Sequence, residues 1–276
     1  MEDLTMNCCL SQARLKVIRR FLVSCLSLLL IFPISSSAAD KLHELRIYTT
    51  NPGKLDALNT RFRDHTLALF EKHGMENLYY WTVTEGAEGE EPGNMLVYIV
   101  AHKDKASADA SWQAFMADPE WQEVSRKSEE GGQILAGPPV SIYMEAVDIS
   151  TGEGTNLQDT GSGRVFELRK YNTGPEGLPG TIDRFLAGEA ELFRKHGMQT
   201  LHFWSALDKS SFIYLLAHKD RESSKNSWEG FFGEFREFMA KYNAGKPAPA
   251  GAAGGPPPRM SSEVRFLTAT YYSPGK

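Results

Sequence analysis

The chain carries one pattern of apolar and polar positions twice. Residues 43–83 align without gaps on residues 166–206, and 17 of the 41 positions are identical. Residues 96–115 match residues 212–231 at 9 of 20 positions, with the second copy now seven residues shorter. The loss falls in a Gly/Glu-rich stretch, residues 84–94, which shrinks to residues 207–210. An internal repeat of this kind indicates the overall architecture more strongly than any single predicted helix or strand. We call the two copies repeat one and repeat two.

Both repeats predict the same elements in the same order. In repeat one, Leu45–Tyr48 alternates as a strand, and a helix with an apolar stripe at spacings of three and four residues follows it. Gly74 predicts the end of this helix. The stripe is formed by Leu55, Leu58, Phe62, His65 and Leu69. The later elements are strands at Leu78–Val83, Met95–Ala101 and Val140–Ala146, with helices beginning at Asp104 and at Asp118-Pro119.

This order is β-α-β-β-α-β, which predicts a ferredoxin-like unit in each repeat. Its sheet carries both helices on one face, so the other face must find a partner. A second copy in the same chain supplies that partner. We therefore predict an α+β fold in which two tandem ferredoxin-like domains close into an intrachain pseudo-dimeric barrel.

The domain boundaries follow from composition. Residues 1–39 combine a basic stretch, an apolar run and small residues ending at Ala39, which predicts a signal peptide. Residues 40–149 and 164–276 are the two expected domains, joined by a polar Gly/Ser/Thr linker at 150–163. Residues 243–260 are a Pro/Gly-rich insertion before the last strand of repeat two, and we expect it to be mobile.

Composition and charge narrow the function. The 276-residue chain is 41% hydrophobic, which excludes a wholly disordered protein. Its net charge of -5 argues against a nucleic-acid-binding protein, which would carry an excess of basic residues. Residues 1–39 hold all three cysteines. We expect a periplasmic or secreted protein without a stable membrane anchor, with a lipoprotein or, in a eukaryote, a mitochondrial protein as the alternatives. The motifs of zinc, nucleotide and serine-nucleophile sites do not occur, so no metal and no cofactor is predicted.

One face of the first strand is the main candidate binding surface. Alternation places the apolar residues on one face and the polar ones on the other. We expect the apolar set to meet the helices and the polar set to face the barrel interior. There it is either an ion pair fixing the two sheets in register or an Arg-lined site for an anionic or carbonyl ligand. The polar set consists of Glu44, Arg46 and Tyr48, with Glu167, Arg169 and Tyr171 from repeat two.

Three histidines are candidates for acid–base chemistry. His102 and His218 end the third strand of each repeat, where a pocket rim is expected, and an ordinary histidine titrates near neutral pH. His65 occupies a core position of the helix stripe, although repeat two has Gly188 there. A structural hydrogen bond is the alternative role for each. Tyr98 and Tyr214 share the strand face with His102 and His218, and Trp81 and Trp204 are candidate pocket walls or core residues.

The chain resembles the NIPSNAP family. The resemblance rests on Glu-Leu-Arg-x-Tyr, Lys-His-Gly-Met, Ala-His-Lys-Asp, Ser-Trp-x-x-Phe and Asp-Pro-Glu-Trp in this order, and it spans both repeats. Repeat two departs from it at Glu234–Glu237, which replaces Asp-Pro-Glu-Trp. The resemblance implies the dimeric α+β barrel fold and no agreed activity, while the wider superfamily includes cofactor-free monooxygenases and isomerases.

Three functions remain open from the sequence. The first is an exported protein that binds a small, aromatic or anionic molecule in the barrel between its repeats. The second is a cofactor-independent monooxygenase or isomerase, with His102 or His218 moving protons and Arg46 or Arg169 holding an oxyanion. The third is a protein-interaction module that uses the acidic loop Glu85–Glu91 and the Pro-rich segment Lys246–Pro258.

Overall fold

The computed structural model describes residues 41–149, 163–246 and 261–275. The predicted signal peptide at 1–39 lies outside the described residues. So do the linker, apart from Gly163, and the 243–260 insertion after Lys246.

The described residues form two successive sets of strands and helices with the expected order. Each set has a first helix interrupted by one π-type turn. Repeat one contains β1 (Leu42–Thr49), α1 (Leu55–Arg61), π1 (Phe62–Thr66), α2 (Leu67–Lys72), β2 (Glu76–Glu85), β3 (Met95–His102), α3 (Lys105–Ala117), α4 (Pro119–Ser128) and β4 (Val140–Ala146). Repeat two contains β5 (Val165–Asn172), α5 (Gly174–Arg184), π2 (Phe185–Glu189), α6 (Ala190–Lys195), β6 (Gln199–Ala206), β7 (Ser211–His218), α7 (Arg221–Asn243) and β8 (Ser262–Ala269).

The eight strands close into one antiparallel barrel with the order β1-β3-β2-β8-β5-β7-β6-β4. Each repeat contributes four adjacent strands. The seams between them are β2 against β8, from Trp81 opposite Ala269 to Glu85 opposite Phe266, and β4 against β6, through Met144–Ala146 only. Closure removes the exposed sheet edges that two separate sheets would present. The predicted α+β barrel is confirmed.

Helix caps account for a difference between the repeats. Asp104 caps α3 by accepting a hydrogen bond from the Ser107 amide at 2.7 Å, and Asp118 caps α4 in the same way from the Glu120 amide at 2.8 Å. Asp118 is extended and Pro119 begins the next helix, so α3 and α4 are two separate helices. Repeat two has no proline at this point, and α7 runs unbroken for 23 residues.

The π-type turn overturns the expectation that His65 lies in the core. In π1 the Leu67 amide bonds to the Phe62 carbonyl, five residues earlier, so one extra residue enters the helical turn. The apolar stripe shifts by one position, which buries Phe62 and Thr66 and leaves His65 exposed. The spacing of three and four residues assumed an uninterrupted α-helix, which is why this prediction was wrong.

Side chains fill three hydrophobic clusters. One cluster occupies the barrel interior and draws residues from all eight strands, including Leu45, Trp81 and Trp204. The other two lie between the outer face of each half-sheet and its own helices, with Phe62 and Tyr98 in repeat one and Phe185 and Tyr214 in repeat two. Within the described ranges, no helix is both long and apolar enough to cross a bilayer.

Candidate functional site

The polar face of the first strand points toward the helices, opposite to the prediction. Leu45 and Ile47 belong to the interior cluster, whereas Tyr48 packs with Phe62 under the helices. Apolar side chains from all eight strands fill the barrel interior, so a carboxylate placed there would lose its hydration. The helix layer instead offers it hydrogen-bond donors. Glu44, Arg46 and Tyr48, and likewise Glu167, Arg169 and Tyr171, therefore lie outside the barrel.

Glu44 is the centre of a buried hydrogen-bond network in repeat one. Its side chain has no exposed surface. Four side chains donate to the carboxylate, which satisfies both oxygens. They are His102 Nε2 at 2.9 Å, Trp112 Nε1 at 2.7 Å, Ser141 Oγ at 2.6 Å and Arg46 Nη1 at 3.0 Å.

Repeat two builds the same network around Glu167. His218 Nε2 and Trp228 Nε1 each donate to this carboxylate at 2.8 Å, and Arg169 Nε does so at 2.6 Å. Ser224 Oγ lies 3.4 Å from Oε2 of Glu167, whereas Ser141 in repeat one donates to Oε1 of Glu44. The network is thus an element that both repeats retain.

These donors keep both carboxylates ionised. Burial raises the pKa of Glu44, but the hydrogen bonds from His102 and Ser141 outweigh it, so this pKa lies below its ordinary value. The pKa of Glu167 is lowered in the same way, against burial, chiefly by His218 and Arg169. Each arginine also stacks on a tryptophan, Arg46 over Trp112 and Arg169 over Trp228.

His102 and His218 do not lie at a pocket rim. Both side chains are fully buried, and Nε2 of each is held by the carboxylate of its own repeat. Their Nδ1 atoms have no partner among the described residues. Tyr98 and Tyr214 are buried on the same strand face, bonded to Tyr48 at 3.0 Å and to Tyr171 at 2.6 Å. The rim prediction was wrong because α3 and α7 cover these strand ends.

Trp81 and Trp204 lie on the other side of the sheet, inside the barrel. Trp204 is 5.8 Å from His43, and Trp81 is 5.7 Å from Phe166, measured between ring centroids. His43 and Phe166 occupy matching positions in the two repeats. The predicted ligand-binding residues therefore form three separate groups: the two tryptophans inside, and one Glu–Arg–Tyr group outside in each repeat.

A polar pair joins the repeats inside the barrel. Tyr79 Oη lies 2.8 Å from His202 Nε2, and these two residues also occupy matching positions. Burial lowers the pKa of His202 to about 4, with a smaller contribution from His43. It lowers the pKa of His43 to about 4 as well. Both histidines are therefore neutral at pH 7. Neither His43 nor His202 was a predicted site residue, because strand alternation placed His43 with the apolar set.

A cleft opens at one end of the barrel and is lined by both repeats. Its volume is about 510 Å³. Repeat one contributes Ser141, Ile142 and Tyr143, and repeat two contributes Lys170 together with Leu207, Asp208 and Ser210. Lys170 Nζ contacts Glu263 Oε1 at 2.6 Å and Asn172 Oδ1 at 2.7 Å.

The matching place in the other half is closed by the longer loop of repeat one. Arg265, which stands where repeat one has Ile142, donates to both oxygens of Glu90 at 2.5–3.1 Å and to Glu263 at 2.8 Å. Glu90 lies in the Gly/Glu-rich stretch that repeat two lacks. The loop of repeat one, seven residues longer than that of repeat two, thus covers one end of the barrel, and the shorter turn of repeat two leaves the other end open. Within the residues that the structure describes, no cluster of side chains could hold a metal ion.

The family model that matches the chain does so within repeat one. The family model described as NIPSNAP matches residues 43–137, which run from β1 to just before β4. Through its first repeat, the chain is similar to the NIPSNAP family. No curated protein matches the chain.

Solved structures resemble this chain at low sequence identity. A nipsnap family protein of unknown function from Agrobacterium tumefaciens is 20% identical, with 41% of this chain and 95% of that one covered and a TM-score of 0.34. A putative monooxygenase from Fusobacterium nucleatum is 11% identical over 84% and 94% of the two chains, with a TM-score of 0.48. A chlorite dismutase mutant from Candidatus Nitrospira defluvii is 10% identical over 86% and 93%, with a TM-score of 0.49. At such TM-scores the likeness carries nothing about activity.

Proposed function

We propose that this NIPSNAP-like protein binds a small molecule in the cleft between its two repeats at the open end of the barrel. The observation that carries the proposal is the cleft itself, because about 510 Å³ is enough for a compact ligand and both repeats line it. The barrel interior is the less suitable place, since Leu45, Trp81 and Trp204 fill it without any exposed surface.

The cleft is a consequence of the strand pairing. β4 pairs with β6 only from Met144 to Ala146, so its first half has no ladder partner on that side. The neighbouring β6–β7 turn, Leu207–Ser210, is too short to cover the gap as the longer loop does in repeat one. The site therefore depends on the difference between the repeats and occurs once.

Lys170 supplies the polar end of the site. Its ammonium group has three N–H donors, and Glu263 and Asn172 accept two of them. No described residue accepts a hydrogen bond from the third, which a ligand acceptor could therefore use. Tyr143 and Leu207 add an aromatic and an aliphatic wall. A small aromatic carboxylate fits this lining, because its ring can pack on these walls and its carboxylate can bind Lys170.

The enzyme alternative has weaker support in the geometry. His102 and His218 have no exposed side-chain surface, and a general base must come within hydrogen-bond reach of its substrate. The interaction module also loses part of its surface, since Glu85 pairs with Arg221 and Glu90 with Arg265. A protein partner remains a further proposal, and so does export, which rests on the basic, apolar and small-residue order of residues 1–39.

Benzoate binding tests the cleft. Thermal shift and isothermal titration calorimetry should show saturable binding to the wild type, with the affinity lost in Lys170→Met and in Leu207→Trp, which fills the cleft. Met116→Trp changes an exposed residue of α3 that does not line the cleft and serves as the matched control. Equal binding by all four proteins, or no binding by the wild type, would remove the proposal.

A further inference from the structure

A groove on the helix layer of repeat one lies apart from the barrel-end cleft. It runs between α1 and α4 and has a volume of about 700 Å³. Ala57, Thr60 and Val124 give it an apolar wall, and His65 and Lys127 lie along it. Three carboxylates, those of Asp56, Glu120 and Glu123, also line it. Glu120 pairs with Lys72, and Glu123 pairs with Arg126 and Lys127.

A buried arginine forms part of the groove wall. The Arg61 side chain is only 4% exposed, and its Nη1 contacts Ser128 Oγ at 3.2 Å. The nearest carboxylate oxygen, from Glu129, is 3.7 Å away on a side chain that is 37% exposed. Arg61 Nε has no partner in the described part of the chain. Burial lowers the pKa of this guanidinium, although arginine stays charged at neutral pH.

In repeat two, the matching arginine has a buried carboxylate partner, which Arg61 does not have. Arg184 occupies the matching position, and its Nε donates to Glu189, which is 2% exposed. Burial raises the pKa of Glu189, and Arg184 opposes that effect. Repeat one has Thr66 where repeat two has Glu189, so the internal carboxylate is missing. A buried charge whose carboxylate partner is 3.7 Å away and partly exposed is incompletely compensated, which makes an outside carboxylate favourable here.

In the described part of repeat two, α7 fills the place that corresponds to this groove. In repeat two, Phe238 of the unbroken α7 lies against Gly188, whose φ of +130° suits glycine alone, and a Cβ there would be 3.3 Å from the Phe238 ring. Tyr242 further along α7 reaches Asp183 at 2.9 Å. In repeat one the Asp118-Pro119 break separates α4 from α3, and His65 at the Gly188 position is exposed. One repeat thus fills with aromatic residues the space that the other leaves open.

We propose that the groove between α1 and α4 binds a monocarboxylic acid with an aliphatic tail, its carboxylate paired with Arg61 and its tail against Ala57 and Val124. The ligand carboxylate supplies to Arg61 the charge that Glu189 supplies to Arg184. The inference does not depend on the barrel-end cleft, since the two sites share no residue.

Octanoate is the probe, and 1-octanol is its uncharged counterpart. Calorimetry on the chain without residues 1–39 should give octanoate a Kd below about 1 mM and octanol an affinity at least tenfold weaker, a difference of about 1.4 kcal/mol. If octanol binds equally well, or octanoate does not bind, the proposal is wrong.

Thr66→Glu is the decisive variant because it places the repeat-two carboxylate next to Arg61. It should keep or raise the melting temperature while weakening octanoate binding at least tenfold. Ala57→Trp should block the groove, and Ala187→Trp, at an exposed site in π2, is its matched control. Octanoate binding unchanged in both Thr66→Glu and Ala57→Trp would overturn the assignment. Benzoate binding in the cleft should be unaffected by these variants, which separates the two proposals.

Discussion

Replacing His43 with phenylalanine should make the protein less sensitive to acid. Phe166 stands at the matching position of repeat two and packs on Trp81 as His43 packs on Trp204. The substitution therefore keeps an aromatic ring inside the barrel and removes one titratable group. Because burial lowers the pKa of His43 to about 4, the unfolded chain takes up a proton near pH 6.5 that the folded chain refuses.

The size of the effect follows from that difference in pKa. The stability due to neutral His43 is complete above pH 6.5 and is lost progressively as the pH falls toward 4. Proton linkage gives a loss of about 2 kcal/mol between pH 8 and pH 5, and about 3 kcal/mol once the folded pKa is passed. Charged neighbours already act on this group, since Glu76 raises its pKa while Lys41 and His102 lower it.

Urea unfolding of the chain without residues 1–39 at pH 8 and pH 5 measures this loss. The free energy of unfolding of His43→Phe should fall by about 2 kcal/mol less than that of the wild type over this interval. Phe166→Leu, the control at the matching position, should lower stability at both pH values and leave the difference between them unchanged. A wild-type pH dependence in His43→Phe would show that His43 is not buried in a neutral state.

Four further substitutions test contacts that hold the repeats. Glu44→Gln and Glu167→Gln should each cost about 3 kcal/mol at pH 7, because they leave a partly buried arginine without its charge partner. Urea unfolding should show the difference from the wild type shrinking as the pH falls below 4.5, where the carboxylates of the unfolded wild type take up protons. Tyr79→Phe should cost about 1–3 kcal/mol by leaving buried His202 without its hydrogen bond, and a thermal midpoint equal to that of the wild type would contradict the contact. Glu90→Gln should speed hydrogen exchange in residues 86–93, because the loop loses its ion pair with Arg265; unchanged exchange would argue against the loop being held there.

The sequence predicted the architecture because the repeat determines it. Two copies of the β-α-β-β-α-β order leave each sheet with one uncovered face, and closing the two faces together is the simplest solution. The sequence also predicted the helix caps at Asp104 and Asp118 and the bounds of β4, because these features depend on local backbone chemistry.

Alternation alone could not predict which face of each strand meets the helices and which faces the barrel interior. Alternation separates Glu44 from Leu45 but does not tell which face meets the helices, and here Trp112 and His102 offer the donors that a carboxylate needs. His65 was misplaced because a π-type turn leaves no clear mark in the residue spacing. Arg61 was missed because its significance appears only when Thr66 is compared with Glu189 across the repeats.

Closure of the barrel by both seams can be measured by engineered disulfides. The chain without residues 1–39 has no cysteine, and Glu145 faces Ser205 across one seam while Thr82 faces Thr268 across the other. Cysteine pairs at these positions should oxidise readily, since paired strand residues lie within disulfide reach. After proteolytic cleavage between residues 150 and 162, either pair should hold the two fragments together on a denaturing gel until reductant is added. Fragments that separate without reductant would mean that the repeats do not share a barrel.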